Sequence, residues 1–113
     1  MSDNCLFCKI IKGQIPASKV YEDDDILAFH DISPQAPVHF LVIPKKHLSG
    51  PSAIGDADRA LIGKVMQMGA TLANELGEKD FRFVVNNGAE AGQTVFHFHL
   101  HVLGGRSLSW PPG

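Results

Sequence analysis

Residues 95 to 103 read VFHFHLHVL, which places His97, His99 and His101 at alternate positions with one hydrophobic residue in each gap. An extended strand sends successive side chains to opposite faces. The spacing therefore predicts three imidazoles on one face, with Phe96, Phe98, Leu100 and Val102 turned toward a core. A slip of one residue would bury the histidines and expose the apolar row, so the core face fixes the face that carries chemistry. Three readings fit such a face. The imidazoles could be solvated or satisfied residues without a role. They could bind one zinc ion, but same-face neighbours on a straight strand sit about 6.6 Å apart and the outer pair about 13 Å, whereas a Zn–N bond is about 2.0 Å. In the third reading His99 is a nucleophile, since neutral imidazole attacks near neutral pH without a metal when its second nitrogen is held.

The stretch NGAEAGQT, residues 87 to 94, runs directly into this strand. Its glycines let backbone N–H groups approach a ligand closely, and Gln93 and Thr94 add side-chain donors, a combination suited to phosphate oxygens. Glycine-bearing turns alone are commonplace, but this one abuts a candidate nucleophile. A second cluster lies at Cys5 and Cys8, the chain's two cysteines. No disulfide framework follows from a single CxxC. A redox dithiol would normally follow a strand in a βαβ unit, which is missing here. The remaining readings are two inert thiols, which pack as small hydrophobes, or half of a structural zinc site that needs two further ligands.

The elements that must position these residues are legible from Gly, Pro and apolar spacing. Residues 5 to 12 predict a short helix stopped by Gly13, with Leu6, Phe7, Ile10 and Ile11 along one side. Residues 18 to 23 and 25 to 31 predict two strands joined through an acidic turn. After PQAP, residues 38 to 44 predict a third strand closed by Pro44. From Asp58 to Leu76 the spacing of Leu61, Ile62, Val65, Met66, Leu72, Ala73 and Leu76 predicts the main helix, capped by Gly77. Within it Gly63 and Gly69 suggest close packing at a dimer interface. Residues 81 to 86 and 95 to 103 predict strands four and five. The sum is an α+β class: one domain over residues 1 to 113, with an antiparallel sheet of five strands, one main helix and a short N-terminal helix.

The chain is 44% hydrophobic and 19% charged, which suits a folded domain rather than a disordered one. Its net charge of -2 gives no basic field, so nucleic-acid and anionic-membrane binding are not expected. MSDNCLFCKII lacks the basic start and apolar stretch of a secretory signal, and no apolar run reaches the length of a membrane span. The expected location is cytoplasmic.

HFHLHVL matches the pattern His-φ-His-φ-His-φ-φ, with φ hydrophobic. With FHDISPQAPVHFLVIPKKHLS, GQTVFHFHLHVLGGR and the final WPPG, the sequence resembles the histidine triad (HIT) family, and within it the Hint branch of nucleoside phosphoramidate hydrolases, over nearly its whole length. The resemblance implies a homodimer joining two five-stranded sheets into ten strands. It implies hydrolysis of adenosine or guanosine 5′-phosphoramidates, AMP-lysine conjugates included, to nucleoside monophosphate and amine. His99 would attack phosphorus to form a nucleotidyl-histidine, and His101 and His39 would orient it and relay protons. Asp31 and Ile32 match ribose-contacting positions, and Phe7, Ile10 and Phe29 are expected around the base. Asn86, Gly92, Gln93 and Thr94 match phosphate-side positions, with Thr94 where many relatives carry Ser, and Phe96 stands where Tyr is frequent. His101, where the nucleotidyl-transferase branch has Gln, implies water as the acceptor. The WPPG tail implies that Trp110 reaches the partner subunit's site and shapes amine preference. Some relatives complete a zinc site with the counterparts of His47 and His97, so the resemblance implies structural zinc on Cys5, Cys8, His47 and His97, with no cofactor needed for catalysis. Two other functions stay open: a zinc-bearing nucleotide sensor or scaffold without useful turnover, and a dinucleoside polyphosphate hydrolase.

Overall fold

The computed structural model describes residues 4–113. Strands β1 (Lys19–Glu22), β2 (Ile26–His30), β3 (Val38–Pro44), β4 (Phe81–Val84) and β5 (Leu100–Gly104) form one sheet in the order β1-β2-β3-β5-β4. Every neighbouring pair is antiparallel. A six-residue helix α1 (Leu6–Ile11) and a seventeen-residue helix α2 (Arg59–Glu75) complete the α+β architecture. No helix among the described residues is long and apolar enough to cross a membrane.

The sheet is covered on both faces, which explains why β2 and β3 read as apolar runs instead of a clean alternation. Ile26, Ala28, Phe40, Val42, Leu100 and Val102 pack with Val65, Leu72 and Ala73 of α2. Leu27, Phe29, Leu41 and Ile43 pack on the other face with Phe7, Cys8 and Ile10 of α1. Because side chains alternate, His39 of β3 and His101 of β5 share this second face. The large helix therefore holds the sheet from behind, and the small helix borders the histidine side. Leu6 departs from the expected apolar stripe, being 42% exposed on α1.

The largest departure from expectation is β5, which starts at Leu100 instead of residue 95. The register supplies the reason. Leu100 lies opposite Val42, so Phe98 would fall opposite Pro44, which has no N–H to give to a ladder. β4 has ended by then as well, at Val84 opposite His101. Deprived of both neighbours, residues 95–99 bend away, and the Phe98 N–H donates to Leu48 O. Phe98 still reaches the α2 core, but Phe96 is half exposed and does not. The bend also removes His97 and His99 from the straight strand on which equal spacing was expected. Just after β3, Lys46 pairs with the buried carboxylate of Asp58.

The helix glycines do separate jobs. A Cβ on Gly69 would lie 3.1 Å from Leu100 Cδ2 and 3.2 Å from the Phe83 ring, so Gly69 lets α2 press against this chain's own sheet. Gly63 faces open space. Gly69→Val is expected to destabilise the fold by about 1–3 kcal/mol through overpacking. Gly63→Ala is expected to stabilise it by up to about 1 kcal/mol through helix propensity. Urea unfolding of the two variants checks both signs.

Candidate active site

Each imidazole of the run has a partner that fixes its tautomer. His97 Nε2 is 2.7 Å from the carbonyl oxygen of Pro44, which can only accept, so the proton sits on Nε2 and the lone pair on Nδ1. His99 Nδ1 is 2.8 Å from the carbonyl oxygen of His97, so Nδ1–H donates and Nε2 keeps the lone pair. His39 Nδ1 accepts from the backbone N–H of Gln35 at 3.0 Å, which places its proton on Nε2. That N–H donates to His101 Nδ1 at 2.9 Å, leaving His101 with a proton on Nε2. The pair is a product of register. Leu41 lies opposite His101, so His39, two residues away on the same face, is its diagonal neighbour. Asp31 Oδ2 stands 3.4 Å from His39 Nε2 and 3.9 Å from His101 Nδ1.

Burial sets the charge of these rings. His39, His99 and His101 are all held below the ordinary imidazole value of 6.5, chiefly because the surrounding protein excludes water from the charged form. His101 is pushed down to about 4, with the neighbouring His99 and His39 adding to the burial effect and Asp31 opposing it. At neutral pH the site therefore offers uncharged imidazoles, a nucleophilic nitrogen on His99 among them.

These groups border a cavity of about 440 Å³, within the range usual for small-molecule sites. Leu6, Phe7, Ile10, Phe29, Ile32 and Leu41 give it an apolar lining, and Asp31 borders it. Asn86, Gly92 and Thr94 line it as well, with His99 and His101. The Phe7 ring stands edge-on to His99 at 5.1 Å between centroids and to Phe29 at 5.4 Å, joining the apolar lining to His99. Of the catalytic and nucleotide-binding residues expected from sequence, His39 and Gln93 lie outside the wall. His39 backs His101, and the Gln93 amide is engaged in the protein interior. His30, Leu6, Leu41 and Val95 line the cavity without having been anticipated. His30 and Leu41 flank predicted site positions along β2 and β3, but period-two alternation does not say where a cavity opens. A wider concavity of about 790 Å³ between residues 77–82 and 105–108 contains no imidazole or thiol.

Two clusters have the donor atoms for a metal ion: Cys5, Cys8, His47 and His97, and Asp31, His39 and His101. Their second nitrogens separate them. A metal-bound histidine normally donates from its other ring nitrogen. His97 does so to Pro44, whereas His39 accepts there, which leaves its proton on the nitrogen that would have to face the ion. The Asp31 cluster is thus built for hydrogen bonds.

The cysteine cluster fits a cation. Tetrahedral bonds of about 2.3 Å to sulfur and 2.0 Å to nitrogen place S and N about 3.5 Å apart and two nitrogens about 3.3 Å apart. His97 Nδ1 lies 3.4 Å from Cys5 Sγ, 3.6 Å from Cys8 Sγ and 3.2 Å from His47 Nδ1, and Cys8 Sγ lies 3.3 Å from His47 Nδ1. Four donors from α1, the segment after β3 and the bend before β5 meet at the spacing a metal shell requires.

Comparison with known proteins identifies the family. The HIT domain pattern matches residues 12–108. The chain belongs to the HIT family. It is 57% identical to a HIT-like protein of Synechocystis, with both chains covered in full. It is 50% identical to a HIT family hydrolase of Legionella pneumophila, with a TM-score of 0.94 over 97% of this chain and 100% of that one. A HIT family hydrolase of Clostridium thermocellum is 40% identical, with a TM-score of 0.93 over 96% of each chain. These neighbours support a hydrolase and the α+β fold of the HIT family.

The lowered imidazole values make stability depend on pH. The unfolded chain binds more protons than the folded one between about 6.5 and about 4, so the stability contributed by His101 is complete above this window and lost as pH falls through it. Urea unfolding of wild type and His101→Gln across that range should give a shallower pH slope for the variant. Equal slopes would remove His101 from the balance.

Proposed function

We propose that this HIT family member hydrolyses the P–N bond of purine nucleoside 5′-phosphoramidates, as in the Hint branch, through a covalent nucleotidyl-histidine on His99. One observation carries the reading: His99 Nε2 holds its lone pair beside a cavity whose wall combines apolar side chains with a donor-bearing loop. The base would enter between Phe7, Ile10 and Phe29, and the Asp31 carboxylate would accept from the ribose hydroxyls. Asn86, Thr94 and the backbone at Gly92 would face the phosphate.

In the first step His99 Nε2 donates its electron pair to phosphorus and the P–N bond breaks. The nitrogen must leave as a neutral amine and needs a proton. The His39–His101 pair is neutral in the free protein, but an anionic phosphate beside it favours an added proton, as Asp31 already does. That proton passes from His101 Nε2 to the amine. The His97 carbonyl keeps its hydrogen bond to Nδ1 and so stabilises the positive charge on the nucleotidylated ring. Water then attacks phosphorus while the pair takes its proton, His99 leaves with its lone pair restored, and nucleoside monophosphate is released. Geometry pre-set in this way replaces a bimolecular encounter with an intramolecular one.

The ion suited to the cysteine cluster is zinc, with a structural role tying α1 to the sheet. The open edge of β4 is where a second copy would extend the sheet to ten strands, with Trp110 of the exposed tail reaching the partner's cavity.

Rapid-quench mass spectrometry with an adenosine phosphoramidate is expected to trap a protein adduct of nucleotide mass in wild type and none in His99→Ala. His101→Ala should slow turnover by about 10²–10⁴-fold. Undiminished activity in His99→Ala would end the mechanism, and binding of AMP without any adduct or turnover would favour a nucleotide sensor. Native mass spectrometry should find one zinc per chain, lost in Cys8→Ser, and chelation should lower Tm without removing the His99 adduct.

A further inference from the structure

Residues 85–99 carry the phosphate-facing groups, yet they belong to no strand, so side chains must hold what a ladder elsewhere supplies. Gln93 is the buried polar residue at the centre of this segment, 4% exposed. Its Nε2 donates to Ser49 O at 2.6 Å and to Val95 O at 3.1 Å, and its Oε1 accepts from the Gly88 N–H at 2.8 Å. One amide thus closes the loop on itself across Gly88 and Val95 and fastens it to the segment after β3. Asn87 adds a second fastening, its Oδ1 accepting from the Ser52 N–H at 2.9 Å. Gly50 makes room for both. A Cβ there would lie 3.0 Å from Asn87 Oδ1 and 3.3 Å from Gln93 Oε1, while its own backbone is fully extended and open to any residue.

Gly92 and Thr94 line the cavity on either side of Gln93, whose amide turns the opposite way. We infer that Gln93 is a positioning residue that sets the Asn86–Thr94 loop in its anion-binding shape before any ligand arrives, and so determines how strongly the site prefers a phosphate-bearing nucleotide over the bare nucleoside. Ordering a loop on binding costs conformational entropy, and a loop already fixed escapes that cost. Phe7, Ile10, Phe29 and Leu41, which would meet the base, belong to α1, β2 and β3, outside the loop that the amide fastens. Gln93 should therefore act on phosphate recognition alone. This inference rests on the nucleotide reading of the cavity and replaces direct ligand contact by Gln93 with control from behind the loop.

The test is calorimetric binding of AMP and of adenosine to the full-length chain, for wild type, Gln93→Met and Gly50→Ala. Gln93→Met keeps the length and removes the three hydrogen bonds; Gly50→Ala presses on the same fastening while leaving Gln93 in place. Wild type should bind AMP more tightly than adenosine. Gln93→Met should narrow that preference by about tenfold, the effect of a buried hydrogen-bond group left unpaired, with adenosine affinity unchanged within about twofold. Gly50→Ala should shift the preference in the same direction, and it carries the test if Gln93→Met fails to fold. A lower Tm with the preference intact in both variants would overturn the inference alone. Wild type that does not distinguish AMP from adenosine would overturn the nucleotide reading, and this inference with it.

Discussion

The hydrogen bond from His99 Nδ1–H to the carbonyl oxygen of His97 decides which ring nitrogen His99 offers to the cavity. An imidazole left to itself exchanges its proton between two nitrogens and points its lone pair in either direction. Held by a carbonyl, which has no proton to give, the ring keeps one tautomer and presents Nε2 as a base or nucleophile. The carbonyl is itself anchored, because the His97 ring donates to Pro44 and turns its other nitrogen to two thiols and His47. The Phe7 ring packs edge-on against both imidazoles. The residue whose side chain joins the cysteine cluster, which could hold a metal ion, thus orients His99 through its backbone.

The same reasoning about second nitrogens divides the histidines between two tasks. Backbone carbonyls face His97 and His99 and free one lone pair on each. A backbone N–H faces His39 and forces the opposite tautomer, which passes a hydrogen bond on to His101. Burial then keeps these rings neutral in the resting site even with the Asp31 carboxylate close by, because removing water from a charged ring outweighs the attraction of one carboxylate. In the proposed reaction a substrate phosphate would shift that balance and make proton donation available.

Local sequence made some of this legible and left the rest hidden. Strand 38–44 was anticipated to the residue, because Pro marks its end and β-branched and aromatic residues fill it. Helix α2 followed from its three- and four-residue spacing. Strict alternation in VFHFHLHVL suggested one long strand, and nothing within that segment argues otherwise. The bend arises from Pro44 on the facing strand, a register effect between residues more than fifty positions apart. Phe96 was misplaced for the same reason. The Gln93 fastening was invisible as well, since a glutamine in a glycine-bearing loop looks like a ligand contact until its amide is seen bonded to Ser49.

That early break in the sheet also explains how one short motif serves two sites. On an unbroken strand, His97 and His99 would stand about 6.6 Å apart on one flat face, with a carbonyl between them already committed to a ladder. Once the ladder stops at Leu100, the His97 carbonyl is released to orient His99, and the His97 ring can swing to the cysteines. His101, still inside the ladder, takes its position from rigid pairing with β3 and therefore meets His39. The His39–His101 pair stands on the sheet, where register enforces it. His99 stands on the bend, where freedom from the ladder lets a backbone carbonyl orient the ring.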